Sequence, residues 1–119
     1  MAKKALLDVI VSKKRWCRGL GCVRSALLCE TSGKMCCIGF MARACGLKPK
    51  NIRGMAGLED LPADAQNKSP LIKTAVENKE EHLTDAYMIN DSEALTDKER
   101  IKALKPIGRK LGVNFTFAD

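Results

Sequence analysis

Aromatic and histidine side chains are scarce in this sequence, which has one tryptophan, one tyrosine, three phenylalanines and one histidine among 119 residues. The single histidine, His82, follows Glu80 and Glu81 and is interpreted as a solvated helix residue. The sequence contains no Ser-His-Asp pattern and no glycine-rich phosphate loop, so it lacks the groups that many hydrolases and nucleotide enzymes need. We therefore predict that the protein is not an enzyme and has no catalytic residue.

Long apolar runs are also missing, and none approaches the roughly 20 residues that a membrane-spanning helix needs. The first apolar stretch, Ala5 to Val11, contains Asp8 and continues into Lys13, which is unlike the apolar segment of a secretory signal. Hydrophobic residues make up 45% and charged residues 29%, the balance of a globular protein. We expect one cytoplasmic domain over residues 1–119, with no membrane partner.

Cysteine is present but poorly arranged for cross-links or metals. Six cysteines in 119 residues fall below the density of a disulfide scaffold, and a reducing cytoplasm keeps thiols reduced. Cys17 and Cys22 are separated by four residues and Cys36 adjoins Cys37, whereas structural zinc sites use closely spaced pairs. We expect no metal and no cofactor, with the thiols packed in or beside the core. A structural metal and a redox or partner-linked role for the thiols remain alternatives. So does a nucleophile at Cys36 or Cys37, near a helix start beside Lys34.

Positive charge is in excess, and it is concentrated in the first half of the chain. Lysine and arginine number 21 against 14 acidic residues, a formal net charge of +7. Residues 1–60 contain 12 basic and 4 acidic side chains, whereas residues 61–119 contain 9 and 10. Concentrated positive potential speeds encounters with nucleic acid, acidic protein surfaces or small anions. It also argues against a protein that mimics DNA.

A basic cluster surrounds the only tryptophan and is the candidate partner-binding surface. Its members are Lys13, Lys14, Arg15, Trp16, Arg18 and Arg24. In one interpretation the cations grip phosphates while the indole stacks on a base. In the other, Trp16 anchors the core and the flanking charges are its solvated neighbours. The sequence leaves both interpretations open.

Periodic patterns predict an α+β fold, a single small domain in which a short antiparallel sheet is packed by about three helices. Strands are predicted over 5–11, 25–30 and 113–117, and helices over 35–45, 71–90 and 96–111. A helix over 5–11 is an alternative. A separate helix start at Thr84 is an alternative within the second helix. Residues 46–70 are predicted to form a long connection with one short helical turn, at the boundary between the basic half and the helical and C-terminal part, 71–119.

The last helix and strand carry the clearest local signals. Thr96 and Glu99 have the spacing of a capping box, and Gly112 is a natural helix stop. Pro106 lies inside this helix and predicts a kink or a break, because proline removes a backbone hydrogen bond. In the strand that follows, Val113, Phe115 and Phe117 alternate with polar residues and should point inward.

A structural motif is predicted where the first helix begins. A tight turn should lead into a buried helix, with a glycine that permits close packing. The residues assigned to this motif are Gly33, Cys36, Cys37, Gly39 and Phe40.

Four segments of the chain together resemble a family of small uncharacterised proteins encoded by bacteriophages and prophages, with W-x-R-G and G-K-M-C-C-L-G-F elements. The matching residues are Trp16-Cys17-Arg18-Gly19, Leu27-Leu28, Gly33-Lys34-Met35-Cys36-Cys37-Ile38-Gly39-Phe40 and Ile89-Asn90-Asp91. A glutamate-containing helix, Gly112 and a short aromatic strand resemble the closing pattern of that family. The likeness covers most of the chain except about 47–83. Ile38 stands where the pattern has leucine, and Pro106 is unusual for its last helix.

The resemblance implies a class of function rather than a reaction. Small phage accessory proteins commonly bind and block a host component, including host defence complexes. The leading hypothesis is therefore a non-enzymatic protein that binds a host protein and inhibits or redirects it. A host defence complex is one candidate target, which would make the role anti-CRISPR-like or otherwise anti-immune. The alternative is a nucleic-acid-binding accessory protein that uses the basic N-terminal half.

Overall fold

The two strands stand near the ends of the chain, and helices fill the interval between them. The computed structural model describes residues 6–17, 27–29, 32–92 and 94–118. Within those ranges the elements are β1 (Leu7–Ser12), a 3₁₀ turn (Lys13–Arg15), α1 (Cys37–Ala44), α2 (Pro49–Ile52), a second 3₁₀ turn (Leu58–Asp60), α3 (Ala63–Gln66), α4 (Pro70–Asn78), α5 (Glu80–Asp91), α6 (Asp97–Leu111) and β2 (Val113–Ala118). The fold is mixed α+β, as predicted. No helix in these ranges combines the length and the apolarity needed to cross a membrane.

Within the described ranges the sheet has two strands, and they run parallel, so the prediction of an antiparallel sheet was wrong. Leu7 lies opposite Val113, and Val9 lies opposite Phe115. Antiparallel pairing suits strands joined by a short turn, but here most of the chain separates β1 from β2 and supplies the helical crossover that parallel strands need. The alternation predicted for β2 is confirmed, because Val113 and Phe115 are buried and Phe117 is half-buried.

Half of the other segment predicted as a strand, 25–30, lies outside the described residues, which include 27–29. Of its described part, Leu28 forms an isolated parallel bridge with Arg53. The amide of Leu27 donates to the carbonyl of Met55 at 2.8 Å, and the amide of Gly54 donates to the carbonyl of Leu28 at 2.8 Å. The backbone around Leu28 is therefore held against the segment that follows α2.

α6 begins with the predicted capping box. The amide of Glu99 donates to Thr96 Oγ1 at 3.2 Å, and the amide of Thr96 donates to Glu99 Oε1 at 2.9 Å. The helix continues through Pro106 to Leu111, so a break at the proline does not occur. Pro106 is exposed, and the carbonyl that loses its helical partner can be solvated, while buried Leu104 and Leu111 hold the helix on the core.

The helices between 46 and 91 are more numerous and shorter than the sequence predicts. The predicted connection contains α2, α3 and the second 3₁₀ turn, because elements of three or four residues are too short to show a helical period. The helix predicted over 71–90 is divided at Lys79 into α4 and α5, five residues before the alternative start at Thr84. Pro70 occupies the first turn of α4, where its missing amide costs little.

α1 is almost entirely buried and packs directly against the chain at Leu27. A Cβ at Gly39 would overlap the backbone carbonyl oxygen of Leu27. The absence of a side chain at this position lets the two backbones touch. Gly33, with a φ of 72°, lies in the turn before the helix, and Cys36 is its N-cap residue. The region therefore combines a turn, a helix start and a close backbone approach within seven residues.

A buried amide connects α5 to the two ends of the preceding loop. Asn90 is fully buried, and its Oδ1 accepts hydrogen bonds from Trp16 Nε1 at 2.7 Å and from the amide of Cys37 at 3.0 Å. Its Nδ2 donates to the carbonyl of Cys17 at 2.9 Å and to Asp91 Oδ1 at 2.9 Å. Three of the sequence elements that carry the phage-family resemblance thus meet around one side chain.

Candidate functional site

A cleft of about 570 Å³ opens between the end of β1, α1 and the segment around α2. Its described lining residues are Ser12, Arg15, Leu28, Cys29, Gly33, Met35, Phe40, Arg43, Pro49 and Arg53. We call it the arginine cleft. Its volume lies within the roughly 300–1,000 Å³ that is usual for ligand pockets.

Backbone pairing places two of the three arginines. The carbonyl of Arg15 accepts the amide of Met35 at 2.9 Å, which fixes the 3₁₀ turn against the strand-like segment before α1. Arg53 pairs with Leu28 across the isolated bridge. Both side chains are exposed, but the backbone from which each extends is held by another lining residue of the cleft, Met35 for Arg15 and Leu28 for Arg53.

The third arginine, Arg43, is positioned through its side chain. Its Nη1 donates to the carbonyl of Leu47 at 2.8 Å, at the end of α1. A guanidinium carries five N–H donors, so this contact orients the group and leaves other donors for a ligand. Arg43 follows Phe40 by three residues on α1, the spacing that brings two helical side chains to the same face.

The arginine cleft carries three positive charges that nothing on its described walls neutralises. The described lining includes no carboxylate, and none of Arg15, Arg43 and Arg53 forms an ion pair within the described ranges. Glu30 is the only acidic residue between Val9 and Leu58, and it lies outside the described residues. Like charges that line a concave, partly apolar surface focus positive potential there.

The floor of the arginine cleft is apolar. Leu28, Met35 and Phe40 are 8%, 9% and 9% exposed, whereas the neighbouring core residues Cys37 and Ile38 are completely buried. These three side chains belong to the hydrophobic core but present an edge to the cleft. The cleft therefore combines a cationic rim with an apolar base.

The adjacent thiols of Cys36 and Cys37 do not suit nucleophilic chemistry. Both are buried in the core. Burial raises the pKa of Cys36 to about 12 and raises the pKa of Cys37 well above its ordinary range. The reactive form of cysteine is the thiolate, so both groups are unreactive thiols at neutral pH. A helix start and a nearby lysine lower the pKa of a thiol, but at Cys36 and Cys37 the increase in pKa caused by burial is larger.

The residues predicted as a partner-binding cluster are divided by the structure. Lys13, Lys14 and Arg15 are exposed on the 3₁₀ turn, and of these only Arg15 lines the arginine cleft. Arg18 and Arg24 lie outside the described residues. Trp16 is 1% exposed, with its ring 4.9 Å from that of Phe117, so it offers no face for a base.

Sequence analysis missed Arg43 and Arg53 as members of the site. They lie in different segments from Arg15, and only the fold brings the three together. One signal was available in the sequence, because between Val9 and Leu58 the chain has basic residues throughout and a single acidic one. Two residues assigned to the structural motif, Gly33 and Phe40, also line the cleft.

No group of three or more histidine, cysteine, aspartate or glutamate side chains in the described ranges is arranged to hold a metal ion. His82 is half-buried in α5. Comparison of the chain with protein-family models, with curated proteins and with solved structures finds no match.

Proposed function

We propose that this protein is a non-enzymatic, phage-type accessory protein that binds a host protein and inhibits or redirects it. The arginine cleft is the contact surface and takes an acidic segment of that host protein. The observation that carries the proposal is the convergence of Arg15, Arg43 and Arg53 on one cleft whose described lining has no carboxylate. Arginine is well suited to this role because its planar guanidinium can bind a carboxylate through two parallel hydrogen bonds.

The inhibitory role follows from the resemblance to small phage proteins, and it places the complex in the cytoplasm of the host cell. A host defence complex, of the kind that anti-CRISPR-like or other anti-immune proteins block, is the proposed target class. A cysteine-dependent reaction at Cys36 and Cys37 is disfavoured, since burial raises the pKa of both thiols. No cofactor is needed for this activity.

A protein partner fits the described surface better than a nucleic acid does. Single-stranded nucleic acid is usually held by exposed aromatic rings on which bases stack. The large hydrophobic side chains that are exposed in the described ranges are Leu6, Leu7, Ile10 and Met88, and none is aromatic. Trp16 is turned into the core. Nucleic-acid binding through the basic half is the alternative function, and it predicts steeply salt-dependent binding.

Affinity capture from bacterial host lysate, with and without nuclease, tests the proposal when it compares matched charge variants. Arg15→Glu/Arg53→Glu reverses two charges in the cleft. Lys102→Glu/Lys105→Glu makes the same change in net charge on the exposed side of α6. We expect the wild type and the α6 variant to retain the same host protein after nuclease treatment, and the cleft variant to lose it.

Two results would contradict the proposal. Capture that is unchanged in Arg15→Glu/Arg53→Glu would show that the cleft is not the contact surface. Capture of nucleic acid alone, removed by nuclease or by added salt, would favour the alternative function. Far-ultraviolet circular dichroism and tryptophan emission confirm that each variant is folded before the comparison.

A further inference from the structure

The arginine cleft has an apolar base that a purely charged ligand would leave unused. We infer that its ligand is an acidic peptide segment that contains one large apolar side chain, which inserts between the arginines. This inference rests on the proposed function and specifies the partner chemistry. The apolar side chain packs on Leu28, Met35 and Phe40, while flanking carboxylates bind the arginines.

Each apolar residue of the base is structurally tied to one arginine of the rim. Met35 is hydrogen-bonded through its amide to the carbonyl of Arg15. Leu28 pairs with Arg53 across the isolated bridge. Phe40 and Arg43 are three residues apart on α1.

Each arginine therefore lies next to an apolar side chain, and a ligand in the cleft contacts both kinds of group. A ligand that is only charged leaves the apolar base in contact with water. A ligand that is only apolar desolvates three guanidinium groups without replacing the hydrogen bonds they made to water. An apolar residue flanked by carboxylates meets both requirements, in the manner of a central anchor with a polar rim at protein interfaces.

The form of the apolar base favours a peptide side chain over a nucleotide. Phe40 is 9% exposed, which leaves little ring surface on which a base could stack. Leu28 and Met35 add aliphatic surface, and methionine adapts to side chains of different shape. The volume of about 570 Å³ accommodates a phenylalanine side chain together with flanking backbone.

Fluorescence polarisation with defined probes tests the inference on the full-length protein. The probes are a short fluorescein-labelled peptide of alternating glutamate and aspartate with a central phenylalanine, the same peptide with a central alanine, and an oligothymidylate of equal charge. We expect the phenylalanine peptide to bind about tenfold or more tightly than the alanine peptide, the change that burial of a large apolar side chain supports. Binding should be lost in Arg15→Glu/Arg53→Glu and retained in Lys102→Glu/Lys105→Glu.

Equal binding of the two peptides, with loss on charge reversal in the cleft, would overturn the apolar anchor and leave the proposed function standing. Tighter binding of the oligothymidylate would overturn it in favour of a nucleotide ligand. Failure of both peptides to bind would also overturn it. The proposed function is judged separately, by the loss of the host protein from the cleft variant in the capture experiment.

Discussion

The indole Nε1 of Trp16 donates a 2.7 Å hydrogen bond to Oδ1 of Asn90, inside the core and across 74 positions of the sequence. The same oxygen accepts the amide of Cys37 at the start of α1. Asn90 therefore fixes the segment that follows β1 and the start of α1 relative to α5. These are the segments that lead to the walls of the arginine cleft, so the network supports the site without contacting a ligand.

Removing the side-chain amide at position 90 should destabilise the protein substantially. Asn90→Ala leaves Trp16 Nε1 and the amide of Cys37 buried without their acceptor, and a buried unsatisfied group costs about 1–3 kcal/mol. We expect a loss of about 3 kcal/mol in the free energy of unfolding, measured by urea denaturation with tryptophan emission as the probe. Asn78→Ala, at an exposed position, should change stability by less than about 0.5 kcal/mol. Equal effects of the two substitutions would show that the network contributes little.

Gly39→Ala tests the close approach of α1 to Leu27. The added methyl group would overlap a backbone carbonyl, which cannot move aside as a flexible side chain can. We expect a loss of about 3 kcal/mol, at the upper end of the usual range for overpacking. Gly46→Ala is the matched control, because its φ of 98° is unfavourable for alanine but no atom lies near the added group. That control should lose only about 1 kcal/mol in the same urea experiment.

Local signals explain why some elements could be predicted from the sequence. The capping box of Thr96 and Glu99 depends on residues three apart, and the inward positions of Val113 and Phe115 depend on simple alternation. Both were predicted and both are present. The parallel pairing of β1 with β2 depends on how the whole intervening chain folds, so no short sequence pattern predicts it.

The site was harder to predict for the same physical reason. Arg15 belonged to an evident basic cluster, but Arg43 and Arg53 join it only through the end of α1 and the Leu28 bridge. The basic residues beside Trp16 suggested a contact with nucleic acid. Its actual hydrogen-bond partner, Asn90, is 74 positions away in the sequence and could not be predicted from the neighbouring residues. The charge distribution indicated the half of the chain that contains the arginine cleft, and the tertiary structure brings its three arginines together.

Pro106→Ala should stabilise the protein. α6 continues through the proline, which lacks the amide that an interior helical position would use, at a cost of about 3 kcal/mol. Proline also restricts the unfolded chain, which offsets about 0.4–1 kcal/mol of that cost. We expect a net gain of about 2 kcal/mol in the free energy of unfolding, seen as a higher urea midpoint at unchanged slope. A loss of stability on substitution would mean that the helix requires the proline.

Alkaline pH should weaken the fold through the buried thiols. Burial raises the pKa of Cys36 from 9.0 to about 12, so between these values the unfolded state releases a proton that the native state retains. Stability from this group is therefore fully present below pH 9 and is lost progressively as pH rises toward 12. Urea unfolding as a function of pH measures the decline. Cys36→Ala should show a shallower decline than the wild type, and an identical slope would exclude this thiol as a contributor.

The central claim is that an acidic ligand occupies the arginine cleft, and differential alkylation of two thiols tests it most directly. Cys29 lines the cleft, whereas Cys45 is half-buried outside it. Iodoacetamide rates at each thiol, followed by peptide mass spectrometry, are compared with and without the central-phenylalanine acidic peptide. At ten times the Kd, mass action predicts that modification of Cys29 slows roughly tenfold while that of Cys45 is unchanged. An unprotected Cys29 at every peptide concentration, or equal slowing of both thiols, would contradict the claim.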